Sequence, residues 1–189
     1  MTWTMHRGYA TFLKTDCIRV KMAIVNTLKR AEVFLGLDDE SLVKIAALSS
    51  CREENYAAGQ VIFRADDNAR NIYVLKDGEV KLATELPGEK TGEARVMVID
   101  KLTRGSFFGW SALAEPHRYV MSAICQRPTT VIAINGDQLQ GLFERDYRLG
   151  FMVYQYLTRI IGNRLRDMEQ VLIKGKRGAF TTKQRPTSV

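Results

Sequence analysis

The residue types that could do chemistry are concentrated in one stretch, Leu102 to Ala123, with the sequence LTRGSFFGWSALAEPHRYVMSA. Gly105 and Gly109 permit backbone geometry closed to other residues. Ser111-Ala112-Leu113-Ala114 then reads as a short helical turn whose free N–H groups point back at the glycines. Such a turn is a ready anion site. Arg118 nearby would complement a phosphate through charge-assisted hydrogen bonds. The expected ligand is therefore small and anionic. The candidate binding residues are Phe108, Gly109, Trp110, Ser111, Ala112, Leu113, Arg118, Tyr119 and Ser122. His117 either touches the same phosphate or is a solvated loop histidine.

Other chemistries fail on inventory. His6 and His117 are the only histidines and stand far apart, so no imidazole-rich metal site is expected. Cys17, Cys51 and Cys125 are odd in number and form no CxxC pair, which reads as free thiols in a reducing cytoplasm. No phosphate-binding P-loop and no Gly-x-Ser-x-Gly elbow is present, and the expectation is that the chain is not an enzyme.

The elements that must hold the stretch in place are mostly strands. Val61–Phe63, Ile72–Leu75, Val80–Ala83, Val96–Ile99 and Val131–Ile134 are short apolar runs separated by turn residues. Lys76-Asp77-Gly78-Glu79 reads as a tight hairpin turn, and Leu86 to Gly92 as a loop. Close spacing of this kind predicts a mainly β fold, an antiparallel roll of jelly-roll type. Helices flank it. Ile18 to Arg30 has helical spacing. Asp38 caps a second helix whose stripe is Leu42, Ile45, Ala46 and Leu48. A short helix covers Asp137 to Phe143, and a long one runs from Gly150 to about Ile173.

Four segments in order make the specific resemblance: Val33 to Leu42, Tyr56 to Phe63, Tyr73 to Val80, and Gly105 to Gly109. Over about Leu28 to Ile173 the chain resembles the cyclic nucleotide-binding domain family, the sensor domains of catabolite activator protein type. The resemblance implies a β-roll with N-terminal helices and a long C-terminal helix. It also implies that the ligand is cAMP or cGMP, with no metal. Its cassette reads Phe-Gly-Glu, an apolar turn, then Pro-Arg-Ala/Thr-Ala. The Glu holds the ribose 2′-hydroxyl and the Arg pairs with the cyclic phosphate. Here Trp110 stands in the Glu slot and Tyr119, nine residues later, in the Arg slot. Indole only donates, and tyrosine carries no positive charge. Each lost charge-assisted pair costs roughly 1.5–3 kcal/mol. Ser111 and Arg118 are the candidates to compensate. Trp110 is either the floor of an altered pocket, stacking a planar ligand, or a plug that leaves the domain ligand-free.

The long helix carries a second pattern. Tyr154, Leu157, Ile161, Leu165, Met168 and Leu172 recur at spacings of 3, 4, 4, 3 and 4. They either pack on the roll or form the seam of a parallel homodimer, and the seam is the reading preferred here.

The formal charge of +7 sits at the ends. Met1 to Arg30 holds six bases and one acid, and Lys174 to Val189 five bases and no acid, while Ala31 to Ile173 holds 17 bases and 20 acids. The division expected is an N-terminal extension over 1–27, the sensor domain over 28–173, and a basic disordered tail over 174–189. Solvated ends explain the charge better than nucleic-acid binding. The 16 residues after Ile173 are too few for a helix-turn-helix. No apolar run is long enough to span a membrane. The functional expectation is a free-standing ligand sensor that signals to an output protein through its last helix. The alternative is a degenerate, ligand-free dimerisation or scaffold module.

Overall fold

A computed structural model describes residues 18–86 and 95–181. Helix α1 (18–28) leads through a 3-10 turn at Glu32–Phe34 into α2 (Asp39–Ala46). Eight strands follow: β1 (Arg52–Tyr56), β2 (Val61–Phe63), β3 (Asn71–Asp77), β4 (Val80–Leu86), β5 (Arg95–Leu102), β6 (Phe107–Phe108), β7 (Ser122–Cys125) and β8 (Thr129–Asn135). Helices α3 (Gly136–Arg145) and α4 (Tyr147–Thr181) close the chain.

The strands form two four-stranded antiparallel sheets, ordered β1-β8-β3-β6 and β2-β7-β4-β5. All five strands expected from the sequence are present within these bounds, and the fold is the expected β-roll with flanking helices. β3 and β8 carry unbroken apolar runs, Ile72–Leu75 and Val131–Ile134, and every one of these residues is buried. Strands covered on both faces lose the alternation that marks a half-solvated strand.

One local expectation is corrected. Asp77-Gly78-Glu79 is not a hairpin, because β3 pairs with β6 and β8 whereas β4 pairs with β5 and β7. The chain crosses here from one sheet to the other. Gly78 has φ +103°, and a Cβ on it would lie 2.6 Å from Thr129 Oγ1 and 2.7 Å from the Pro128 carbonyl. Positive φ suits a hairpin and a sheet-to-sheet corner alike, so the Asp-Gly signal does not separate them.

The helices are capped and tied as their termini require. The Asp38 carboxylate accepts from Ser41 N at 2.8 Å, and the Asn135 side chain accepts from Gln138 N at 3.0 Å. Lys44 Nζ donates to Asp146 Oδ2 at 2.9 Å and joins α2 to the junction of α3 and α4. Helix α1 buries Ile24, Val25 and Leu28 in the core, so the packed body starts inside the segment expected to be an extension. Helix α4 also runs past Ile173 to Thr181, so 174–181 are helical rather than part of an irregular tail. Lys and Arg are good helix formers, and adding residues to an existing helix is easy. Cys17, the 86–92 loop beyond Leu86, and the last eight residues lie outside the described residues.

Candidate functional site: the cavity between the cassette and the last helix

The cassette leaves β6 at Gly109, turns through the 3-10 segment Trp110–Leu113 and returns to the sheet at β7. Gly109 is left-handed, with φ +77°. A Cβ there would approach the Asn71 carbonyl to 3.0 Å and Tyr73 Cδ2 to 3.1 Å, so position 109 needs glycine for both conformation and space. Before the turn, Phe107 N donates to Glu32 Oε1 at 2.8 Å, anchoring the cassette to the 3-10 turn that precedes α2.

A cavity of about 530 Å³ opens beside this turn. Gly109, Trp110, Ser111, Tyr119, Val120 and Met121 of the cassette line one side, and Met97 to Asp100 of β5 line another. Phe63 and Leu82 form part of the floor, and Ile161, Arg164 and Leu165 of α4 form the roof. The wall is thus mostly apolar with a few polar groups, the usual character of a small-molecule site.

Among the described lining residues, Arg164 is the one cationic side chain. Its Nη2 donates to the Phe107 carbonyl at 2.8 Å and lies 3.5 Å from Glu32 Oε1, while its Nε lies 3.5 Å from Asp100 Oδ2. Its side chain is only 22% exposed.

The candidate residues from the cassette divide. Gly109, Trp110, Ser111 and Tyr119 line the cavity. Phe108 is fully buried in an aromatic stack with Phe63 and Tyr73, and Ala112 and Leu113 are buried in the core. The Ala112 N–H, expected to face a ligand, instead donates to the Gly109 carbonyl at 3.1 Å within the turn. Ser122 Oγ accepts from Ala65 N at 3.0 Å.

Arg118 is placed differently from its expected position beside Ser111–Leu113. It lines a second depression, of about 610 Å³, with Asn68, Arg70, His117, Asn135 and Asp137. Its Nη1 donates to the Asp66 carbonyl at 2.6 Å. The reason is the residue beside it. Tyr119 turns inward and stacks on Phe63 with ring centroids 3.7 Å apart, which directs its neighbour outward. The Tyr119 hydroxyl donates to the Asn71 carbonyl at 2.7 Å and receives Asn71 N at 3.2 Å. Burial raises the phenol further above its ordinary range, so Tyr119 is neutral and its hydroxyl is already occupied.

The expected helix seam is also divided. Leu157 packs in the core of its own domain, in a buried stripe with Leu149, Val153 and Ile160. Ile161 and Leu165 face the cavity. Tyr154 is 39% exposed and meets Phe143 edge-on. The side chains of Met168 and Leu172 lie outside the described residues.

Several lining residues were missed: Phe63, Leu82, Met97 to Asp100, Val120, Met121 and Arg164. Arg164 lies one turn after Ile161 on the same helical face, but the helix sequence does not say that this face roofs a cavity. The β5 residues carry no signal, because a strand sequence does not say which cavity its neighbours enclose.

Comparison with known proteins agrees with this geometry. Residues 53–146 match the family model of the cyclic nucleotide-binding domain. A cGMP-dependent protein kinase, egl-4, of Caenorhabditis briggsae is 31% identical over 105 residues, which are 56% of this chain and 13% of the kinase. The chain thus aligns with about an eighth of that relative's length. The catabolite activator protein of Thermus thermophilus is 26% identical, with a TM-score of 0.60 over 76% of this chain and 63% of that one. A cyclic nucleotide-binding domain from Methylobacillus flagellatus shares the fold at 17% identity, with a TM-score of 0.68 over 82% of this chain and 84% of that one. The two-sheet roll, the cassette starting its turn at Gly109 and the helix across its cavity thus have a family to which they correspond: residues 53–146 of this chain belong to the cyclic nucleotide-binding domain family.

Proposed function

We propose that this domain senses a cyclic nucleotide, or a related small anion with a planar group, in the cavity under α4, and that α4 carries the signal. One observation carries the reading: Gly109, Trp110 and Ser111 share a single cavity with Ile161, Arg164 and Leu165. A ligand there touches the output helix directly, so its affinity differs between positions of that helix, and a differential affinity is what shifts a conformational equilibrium. Trp110 offers an indole face for a planar group. The test is calorimetry with cAMP and with cGMP. A saturable one-to-one heat with either supports the reading, and no heat with both at millimolar nucleotide contradicts it.

A second reading has its own observation. The slots at 110 and 119 hold Trp and a neutral, fully engaged Tyr, which favours a domain that no longer binds and serves as a dimerisation or scaffold module. Nucleotide-free calorimetry traces together with a stable dimer would select it.

Under either reading we infer a homodimer through α4, by a face that shares only Tyr154 with the expected seam. Tyr147, Phe151 and Tyr154, at helical spacing, are 80%, 69% and 39% exposed. A second copy across a twofold axis would cover them, the commonest arrangement for such contacts. Light scattering is expected to give about twice 21.4 kDa, and Tyr147→Glu with Phe151→Glu to halve it. A double variant that keeps the larger mass moves the interface elsewhere.

The finer expectations follow from the family. The domain itself is not catalytic, it works in the cytoplasm, and its output protein is reached through α4. No helix among the described residues is long and apolar enough to cross a membrane.

A further inference from the structure

We infer that Arg164 of α4 recognises the anionic group of the ligand, in place of the cassette arginine that this chain lacks. The inference rests on the ligand-sensing reading above and names the residue that gives it charge. Among the described lining residues, Arg164 is the one side chain with a positive charge. The two residues expected to serve are excluded by position or chemistry. Arg118 is in the other depression, bonded to the Asp66 carbonyl, and the Tyr119 hydroxyl is spent on both polar groups of the Asn71 backbone. An anion brought into an apolar cavity with no counter-charge is strongly disfavoured, so an anionic ligand has to find Arg164.

Arg164 is also held by the protein. It bridges the Phe107 carbonyl, Glu32 and Asp100, and so links α4 to the start of the cassette, the segment before α2, and β5. Both ionic contacts are long, at 3.5 Å, and both carboxylates are partly solvated, at 38% and 37% exposed. Pairs of that kind hold weakly and can be exchanged for a ligand anion. Asp100 is itself a lining residue, so it competes with that anion at the cavity wall. Recognition and release are then one event: the anion takes Arg164 from Asp100 and loosens one of the ties that hold α4 on the roll.

The competition makes an asymmetric prediction. With cGMP and cAMP as probes, Arg164→Gln is expected to weaken binding about ten-fold or more, the cost of a charge-assisted contact. Asp100→Asn is expected to tighten binding about two- to five-fold, the scale of a partly exposed ion pair. Asparagine keeps an acceptor for Lys101 N, which Asp100 Oδ1 now receives at 2.7 Å, so this variant tests the charge with β5 intact. A purely structural Arg164 predicts the opposite for Asp100→Asn, an unchanged or weaker affinity, because the helix has lost a tie. Wild-type protein that binds nucleotide with an affinity unmoved by Arg164→Gln, or unchanged or weakened by Asp100→Asn, overturns the inference and leaves the sensor reading standing. Wild-type protein that binds neither nucleotide overturns both.

Discussion

Two depressions flank the cassette, and adjacent residues face one each. The inner one, under α4, takes Tyr119 and is mostly apolar; the outer one takes Arg118 together with Arg70 and His117. The chain therefore has an arginine one position from the slot where its family keeps one, but backbone direction sends it to the other side. A shift of one residue in an extended segment reverses the face that a side chain presents. Charge count alone would have credited the inner site with a cation that belongs to the outer one. The inner site draws its positive charge from the roof, at Arg164.

The two sides are expected to respond very differently to truncation. Phe108→Ala removes a fully buried ring from the stack behind the inner cavity and should cost about 3–5 kcal/mol of unfolding free energy. Arg118→Ala, on the exposed rim of the outer depression, should stay within about 0.5 kcal/mol. Urea unfolding of both variants checks the pair, and similar losses would erase the distinction between a packed wall and a solvated one.

Tyr119→Phe perturbs the inner side alone. It keeps the stack on Phe63 but leaves the Asn71 backbone groups without their partner, at about 1–3 kcal/mol. If Tyr119 were free to contact ligand, the hydroxyl would be dispensable for stability, and the same urea experiment would find no loss.

The smallest effect concerns the root of the roof helix. Asp146 is held below its ordinary carboxylate range of 3.8 by the Lys44 hydrogen bond and by the Leu149 backbone N–H. A depressed carboxylate contributes stability above its unfolded pKa and loses it as pH falls through the lower folded value. Asp146→Asn should therefore have a slightly lower Tm at neutral pH and a shallower loss of Tm below about pH 4 than wild type. Parallel acid slopes would mean that the tie does not matter to the helix.

The roll was legible because its strands are short apolar runs between Gly and Asp punctuation. β1 was not, since Arg-Glu-Glu-Asn-Tyr has no apolar face; it lies at a sheet edge, where Lys76 pairs with Glu53. β6 and β7 bound the cassette turn, and at two and four residues they are too short for their pattern to mark them as strands. In the site, Gly109, Trp110 and Ser111 were readable from local spacing, because the turn they make is local. Arg164 and Asp100 were not singled out, because they meet across 64 residues of chain. The helix seam misled for a related reason. Leu157 and Ile161 share one helical stripe, yet the first faces the core and the second the cavity, and only the placement of the helix over the roll separates them.

Under the proposed function, ligand binds in the inner cavity, between the cassette and α4. Methyl NMR of the methionines distinguishes the two depressions, because Met97 and Met121 line that cavity and, among the described residues, no methionine lines the outer one. Titration with cGMP or cAMP is predicted to shift the Met97 and Met121 methyl resonances together, saturating with one constant. Saturable binding that leaves both methyls in place would put the ligand outside the inner cavity.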